Sequence, residues 1–253
     1  MYIKPKKSLG QHFLHDANIL RNITTVVDAK AGERVIEIGP GEGALTEHLL
    51  DRYADVTAIE IDDRAIEVLS ERFPNLNVIH ADILKTDWDA LLKPDGKNVI
   101  VGNIPYYITS PILFKVMDAG NIYRRAVFLM QKEVAERLVA EPGTKAYGIL
   151  SVQAQLLGDV ELLFTVSRHV FTPKPKVESA VISFEPKKAP LPFDLQELKT
   201  VVRMAFNQRR KMMSNSLKTL IDDRTDIDFD LNLRPDQIKP EEFIKLTKTI
   251  FVG

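Results

Sequence analysis

Arg34-Val35-Ile36-Glu37-Ile38-Gly39-Pro40-Gly41-Glu42-Gly43 is the stretch that decides the fold. Arg34 to Ile38 reads as a buried central strand, because it is short, apolar and β-branched and ends at a turn signal. The glycines after it permit a tight turn and close backbone approach to a ligand at the N-terminus of the next helix, patterned by Ala44, Leu45, Leu49 and Leu50. A strand, a glycine loop and a helix in succession open an α/β domain.

Such a loop fits NAD, FAD or S-adenosylmethionine (AdoMet) alike. Its spacing, Glu37-x-Gly39-x-Gly41-x-Gly43, differs from the pyrophosphate pattern G-x-G-x-x-G and puts an acid in front, which leans toward a ligand without phosphates. AdoMet carries an amino acid and a nucleoside but no phosphate. Downstream, Val56 to Asp62 makes a second strand with an acid at its tip in the region, 17 residues beyond Gly43, where dinucleotide folds place a ribose-binding carboxylate; of the two acids there, Glu60 and Asp62, Glu60 is the stronger candidate. A third strand, Asn77 to His80, runs into Ala81-Asp82-Ile83-Leu84. Asp82 either accepts from the amino group of a cofactor adenine or caps the segment beginning near Thr86.

The fourth strand, Asn98 to Gly102, delivers Asn103-Ile104-Pro105-Tyr106-Tyr107 to a carboxyl edge, where open α/β sheets bind ligands. The Asn103 side-chain oxygen and the Ile104 carbonyl are acceptors beside an aromatic ring, and Pro105 adds no donor and disfavours the helical region for Ile104. Two acceptors at a ring edge make a seat for the exocyclic amine of a nucleobase. That amine is a poor nucleophile because its lone pair is conjugated into the ring, and accepting both of its protons favours the pyramidal, reactive geometry. Tyr106 would stack on the base, a contact of about 1–3 kcal/mol. Alternatively, the stretch is an Asn-Pro turn capping a strand.

Elsewhere, Asp16 reads as the N-cap of a helix through Val27, Ser110-Pro111 as the start of one through Asp118, and Ala126 to Met130 as a fifth strand. Helical spacing follows at Lys132–Val139 and Tyr147–Leu157. Strands at Val160–Val166 and Val177–Phe184 flank Phe171-Thr172-Pro173-Lys174-Pro175-Lys176. A phenylalanine in a Pro/Lys loop suggests an exposed second stacking platform beside phosphate-binding cations, or else pinned loop packing. Three prolines between Pro186 and Pro192 mark a linker and a domain boundary near 187. Beyond it, Leu195–Phe206, Arg209–Leu220 and Pro240–Ile250 read as helices of a small bundle.

At 253 residues and 45% hydrophobic content, the chain accommodates one large core and a smaller unit. The absence of cysteine excludes disulfides, thiolate metal sites, iron–sulfur chemistry and a Cys nucleophile, and suits a reducing compartment. No apolar leader and no apolar run approaching ~18 residues is present, so a soluble, cytoplasmic protein is expected. The five histidines show no metal spacing and no P-loop lysine motif occurs, so neither a metal site nor an ATPase is expected. Net charge is −1, yet Lys4, Lys6 and Lys7 stand without acids, as do Lys199, Arg203, Arg209, Arg210, Lys211 and Lys218. Local basic faces on a balanced chain suggest docking on a phosphate backbone, with Lys6, Lys7, Lys174, Arg209, Arg210 and Lys211 as candidate RNA contacts.

With these residues placed, the chain resembles the ribosomal RNA adenine dimethyltransferases of the KsgA type. The resemblance rests on Ser8-Leu9-Gly10-Gln11-His12-Phe13-Leu14, Glu37 to Gly43, Asn103 to Tyr106, Gln131-Lys132-Glu133-Val134, Phe171 to Val177 with Ser179-Ala180-Val181, and Ala205 to Lys211. It implies a Rossmann-like, seven-stranded AdoMet-dependent methyltransferase domain over 1–187, with its last strand antiparallel, and a small α-helical substrate-recognition domain over 188–253. It implies dimethylation of two adjacent adenosines near the 3′ end of small-subunit (16S) rRNA within an immature small subunit, with a role in small-subunit biogenesis; a monomer is expected. S-adenosylhomocysteine would be the product, and no metal would be used.

Carried over by residue, Gln11, His12 and Leu14 would help close the AdoMet site and Gly39 and Gly41 line it. Glu60 would hold the ribose hydroxyls and Asp82 the cofactor adenine. Asn103 would sit between cofactor and target, and Ile104, Tyr106 and Phe171 would complete the target pocket. His12 and Tyr107 occupy positions where relatives often carry Asn. The rival readings are a large-subunit (23S) dimethyltransferase of the macrolide-resistance type, a small-subunit assembly factor with secondary catalysis, and, more distantly, a DNA adenine or protein glutamine methyltransferase.

Overall fold

The apolar runs spaced between helices assemble into one sheet. In the computed structural model, which describes residues 3, 5–6, 10–189, 192–221 and 229–252, the elements in chain order begin β1 (Phe13–Leu14), α1 (Ala17–Val27), β2 (Arg34–Ile38), α2 (Ala44–Arg52), β3 (Val56–Glu60), α3 (Asp63–Arg72), β4 (Asn77–His80), α4 (Trp88–Leu91) and β5 (Asn98–Asn103). They continue with α5 (Thr109–Asp118), β6 (Arg125–Gln131), α6 (Lys132–Leu138), α7 (Ile149–Leu157), β7 (Gly158–Val166), β8 (Phe171–Thr172) and β9 (Ser179–Pro186). The last are α8 (Leu195–Asn207), α9 (Met213–Ser216) and α10 (Pro240–Val252).

Seven strands form a sheet in the order β4-β3-β2-β5-β6-β9-β7, parallel from β4 to β6, with β9 antiparallel to β6. From β2 the chain moves outward to β3 and β4, then returns across β2 to place β5 and β6 on the other side. The order therefore reverses between β2 and β5, and a ligand crevice is expected at their carboxyl ends. There Ile38 is in register with Gly102. A Cβ on Gly102 would lie 2.6 Å from the Ile38 carbonyl oxygen, so only glycine allows this approach. β2 is buried at nearly every position, as befits a parallel strand covered on both faces. Val35, Val99, Val101 and Val127 pack in one cluster with Leu20, Ile23 and Val27 of α1 and Leu45 and Leu49 of α2. Asp16 caps α1 as its sequence position predicts, accepting from the Asn18 and Ile19 amides.

A separate two-stranded ribbon joins β1 to β8, with Phe13 opposite Thr172 and Leu14 opposite Phe171. It holds the N-terminal segment against the chain that precedes β9.

By its contacts the chain divides into residues 1–135 with 161–186, and 136–160 with 187–253. The second unit is wider than a boundary near 187 predicts, because Tyr147, Val152 and Leu156 bury their side chains among Leu198, Val201, Val202 and Phe243. The Tyr147 hydroxyl donates to the Ile238 carbonyl at 2.8 Å. The helix expected over Arg209–Leu220 shortens to α9. Met212 is extended (φ −61°, ψ 151°), and the Met213 and Ser214 amides donate to the Leu233 and Leu231 carbonyls, each at 2.9 Å, in place of helical partners. The helix expected to start at Ser110-Pro111 begins at Thr109, behind a 3-10 turn over Tyr106–Ile108. Among the described residues no helix is long and apolar enough to cross a membrane.

Candidate active site

The carboxyl ends of the strands on either side of the β2–β5 reversal enclose a cavity of about 370 Å³, within the first unit. Its floor is the glycine loop 39–41, its walls are Glu60, Ile61, Asp82, Ile83 and Asn103 to Ile108, and residues 10–15 lie across it. Gly41 turns at φ 57°, and a Cβ there would meet the Phe13 ring at 2.9 Å. The glycine is thus required both by its backbone and by the segment above it.

The lining is mainly apolar, and its acidic side chains, Glu37, Glu42, Glu60 and Asp82, are not balanced by any lysine or arginine among the lining residues. That charge disfavours a phosphate and suits a cation. The buried Glu37 accepts from the Thr46 hydroxyl at 2.6 Å. Burial pushes its carboxyl up to about 8, against the pull of Thr46 and with a further push from Glu60. The Glu60 carboxylate accepts from the Gly41 amide at 3.2 Å, Ile61 at 2.7 Å and Asp62 at 2.9 Å. Burial raises its pKa in spite of those three donors. Asp82 lines the cavity while Oδ1 accepts from the Leu84 amide at 2.9 Å, so the turn-capping and cavity-facing readings of this residue coexist.

Asn103 ends β5 beside Leu129, and its Nδ2 donates to the His12 carbonyl at 3.0 Å. A carbonyl only accepts, so this bond orients the amide and leaves Oδ1 as the acceptor for the cavity. Ile104 is buried, with its amide donating to the Leu129 carbonyl at 2.9 Å. The Tyr106 hydroxyl meets Ser179 Oγ at 2.7 Å, and burial raises its pKa. Ser179 is thus an anchor for Tyr106 that the sequence shows only as part of Ser179-Ala180-Val181, since no spacing links residues 73 positions apart.

Gln11, Leu14 and His12 lie in the segment across the cavity. Gln11 Oε1 accepts from the Lys6 amide at 2.9 Å and Nε2 donates to Asp62 at 3.0 Å, while Lys6 Nζ stands 3.5 Å from the same carboxylate. Arg64, Gln11 and Lys6 together hold the Asp62 carboxyl well below the usual carboxylate range. Asp62 does not line the cavity; it anchors the segment across it through Gln11, and its place at the strand tip beside Glu60 was the signal the sequence offered.

Phe171 requires correction. It is only 4% exposed and packs in the core beside Leu14, so it presents no open face. The ribbon pairing of β1 with β8 turns the ring inward, which a Pro/Lys flank does not reveal. Arg209 also differs from expectation: its guanidinium donates to the Thr144 and Lys145 carbonyls at 2.9 and 2.8 Å and faces Asp236 at 3.6 Å, within the second unit. Arg210 and Lys211 are exposed, and so is Lys174, whose Nζ is 3.3 Å from the His169 ring. Lys7 lies outside the described residues. Among the described residues no group of His, Asp or Glu is arranged to hold a metal.

A mostly parallel sheet with an antiparallel strand, a glycine loop after β2 and an Asn-x-Pro-Tyr turn after β5 define a Rossmann-like methyltransferase. Residues 3–248 match the model of the family described as ribosomal RNA adenine dimethylase. The chain is similar to "Ribosomal RNA small subunit methyltransferase A" of Salinibacter ruber, 46% identical over 97% of this chain and 84% of that one. The protein of the same description from Ligilactobacillus salivarius is 48% identical over 85% of this chain and 76% of its own length. Among solved structures, a dimethyladenosine transferase from Plasmodium falciparum matches with a TM-score of 0.78 at 28% identity, covering 92% of this chain and 95% of that one. The 23S rRNA methyltransferase ErmE matches with a TM-score of 0.71 at 28% identity, covering 94% and 99%. The chain belongs to the ribosomal RNA adenine dimethylase family and is a methyltransferase.

Proposed function

We propose that this protein dimethylates the exocyclic amino groups of two adjacent adenosines near the 3′ end of 16S rRNA, with AdoMet as methyl donor. The identity to relatives described as small-subunit methyltransferases, 46% over nearly the whole chain, favours that RNA over the large-subunit one. The observation that carries the chemistry is the bond from Asn103 Nδ2 to the His12 carbonyl, because it ties the donor end of the amide to the protein and fixes the orientation of the Oδ1 acceptor.

The acidic, phosphate-excluding lining fits a sulfonium nucleoside. Glu60 would hold its ribose, Asp82 its adenine, and Gly39, Gly41, Gln11, His12 and Leu14 would enclose it. Bound there, AdoMet supplies a methyl group activated by positive charge on sulfur. The chain's own residues position the target: Tyr106 stacks on the splayed adenine, while Asn103 Oδ1 and the Ile104 carbonyl accept from its amine and direct the lone pair out of conjugation. Positioning supplies most of the rate, so no general base is assigned. Each transfer releases one amino proton, and for the second the seat accommodates the first methyl group.

The substrate is an immature small subunit met in the cytoplasm, where ribosomes are assembled, and the protein acts as a monomer. Exposed Arg210, Lys211 and Lys174 contact phosphates. Substitution tests the seat. Asn103→Ala lowers the methylation rate about 10- to 100-fold, the fold-change of a lost bond worth about 1–3 kcal/mol. AdoMet affinity by calorimetry, measured alongside, separates loss of the seat from loss of the cofactor site. An Asn103→Ala variant working at full rate would remove the assignment.

A further inference from the structure

Two adjacent tyrosines in the 3-10 turn after β5 have different surroundings. Tyr106 is tied through its hydroxyl to Ser179. Tyr107 lines the cavity yet is 57% exposed, and its hydroxyl makes no hydrogen bond among the described residues. One edge of its ring rests on Gly10 of the segment across the cavity, where a Cβ would meet Tyr107 Cδ1 at 2.9 Å. Gly10 turns at φ 55°, so its own backbone and the neighbouring ring both call for glycine. The turn beneath the ring is closed by bonds to the Pro105 carbonyl, from the Ile108 amide at 3.1 Å and the Thr109 hydroxyl at 3.2 Å. The ring is thereby placed by its own turn and by the segment across the cavity.

What the exposed part of the ring faces follows from its neighbours. Asp82 and Glu60 line the same cavity. Burial raises the pKa of the Tyr107 hydroxyl, and the Asp82 and then the Glu60 carboxylate push it further, so it stays a neutral donor. Ile61, at the tip of β3, is the other large hydrophobic lining residue left exposed, at 50%. Exposed apolar surface on the rim of a cavity is surface that a ligand covers. Beside paired carboxylates it suits a flat ligand whose polar hydrogens those carboxylates take, which is the makeup of a nucleoside.

We propose that Tyr107 is a binding residue for the nucleoside half of the methyl donor, its ring covering the side of the nucleoside that faces solvent. The inference rests on AdoMet as the donor proposed above. It adds a contact that neither the glycine loop nor the segment across the cavity supplies. Successive residues of one turn then serve the two substrates, Tyr106 the adenine to be methylated and Tyr107 the donor.

Calorimetry on wild type, Tyr107→Ala and Tyr107→Phe tests this with two ligands. One is S-adenosylhomocysteine; the other is 5′-methylthioadenosine, which keeps the nucleoside and lacks the amino acid. Tyr107→Ala is expected to bind both about 5- to 50-fold more weakly, the effect of apolar cover lost from the bound ligand. Tyr107→Phe keeps the ring and is expected to stay within about 3-fold of wild type, a difference under 1 kcal/mol. Unchanged affinity of Tyr107→Ala for methylthioadenosine would overturn the proposal, whether or not S-adenosylhomocysteine is affected. Equal losses in Tyr107→Ala and Tyr107→Phe would overturn it too, since the ring would then contribute nothing. If wild type binds neither ligand, the donor assignment itself fails, a result visible without either variant, and the proposal falls with it.

Discussion

Glu37 shows how one residue couples the site to stability. Its carboxyl titrates near 8 when folded against an ordinary value of 4.5, so the folded chain retains a proton there that the unfolded chain has lost. Stability contributed at this position is therefore whole below about pH 4.5 and declines as pH rises toward 8. In the ligand-free protein, Glu37→Gln is expected to melt progressively higher than wild type as pH increases from 5 to 8; a constant gap across that range would contradict the buried, raised carboxyl. Tyr106 gives a second prediction at this scale. Ser179→Ala removes the partner of its half-buried hydroxyl and loosens the ring, so methylation slows about 5-fold, the effect of a lost hydrogen bond worth about 1 kcal/mol. Rates equal to wild type would show that the ring needs no anchor. At the residue scale the sequence conveyed types well and partners poorly. Asn103, Glu60 and Asp82 could be placed because each follows a recognisable strand. Ser179 and Asp62 could not be tied to their partners, since Tyr106 and Gln11 meet them only through the sheet and the ribbon.

Elements were legible where local patterning and tertiary packing agree. The strands β2, β3 and β5 are short, largely apolar runs, and a parallel sheet buries just such runs. The pattern fails over Arg209–Leu220, where the backbone of Met213 and Ser214 bonds to a distant segment, and Ser and Asn give the helix little intrinsic support. It is also silent on which core α7 joins, because apolar spacing names a face and not its partner. The packing of α2 on the sheet predicts that Leu49→Ala, at a fully buried position, costs about 2–5 kcal/mol in denaturant unfolding. A cost near zero would place α2 outside the core. The segment over the cavity depends on Asp62, so Asp62→Asn is expected to speed amide exchange in residues 10–14 and weaken AdoMet binding. Unchanged exchange there would assign the clasp to the β1–β8 ribbon alone.

For the whole molecule, a net charge of −1 conceals a division of labour. The cavity is acidic and the second unit carries exposed Arg210 and Lys211, whereas Arg209 is committed to internal carbonyls. Reversing Arg210 and Lys211 to Glu is expected to weaken binding to small-subunit particles and flatten its dependence on salt, because fewer phosphate counterions are released. An unchanged salt slope would remove these residues from the RNA contact. The central claim, that this cavity methylates adenine amines of small-subunit RNA, is tested most directly by nucleoside mass spectrometry. The purified protein and AdoMet are incubated with unmethylated small-subunit particles, large-subunit RNA or duplex DNA. Dimethyladenosine in the small-subunit sample alone is the predicted result. Dimethylation of the large-subunit RNA instead, or tight particle binding with no methylation, would contradict it.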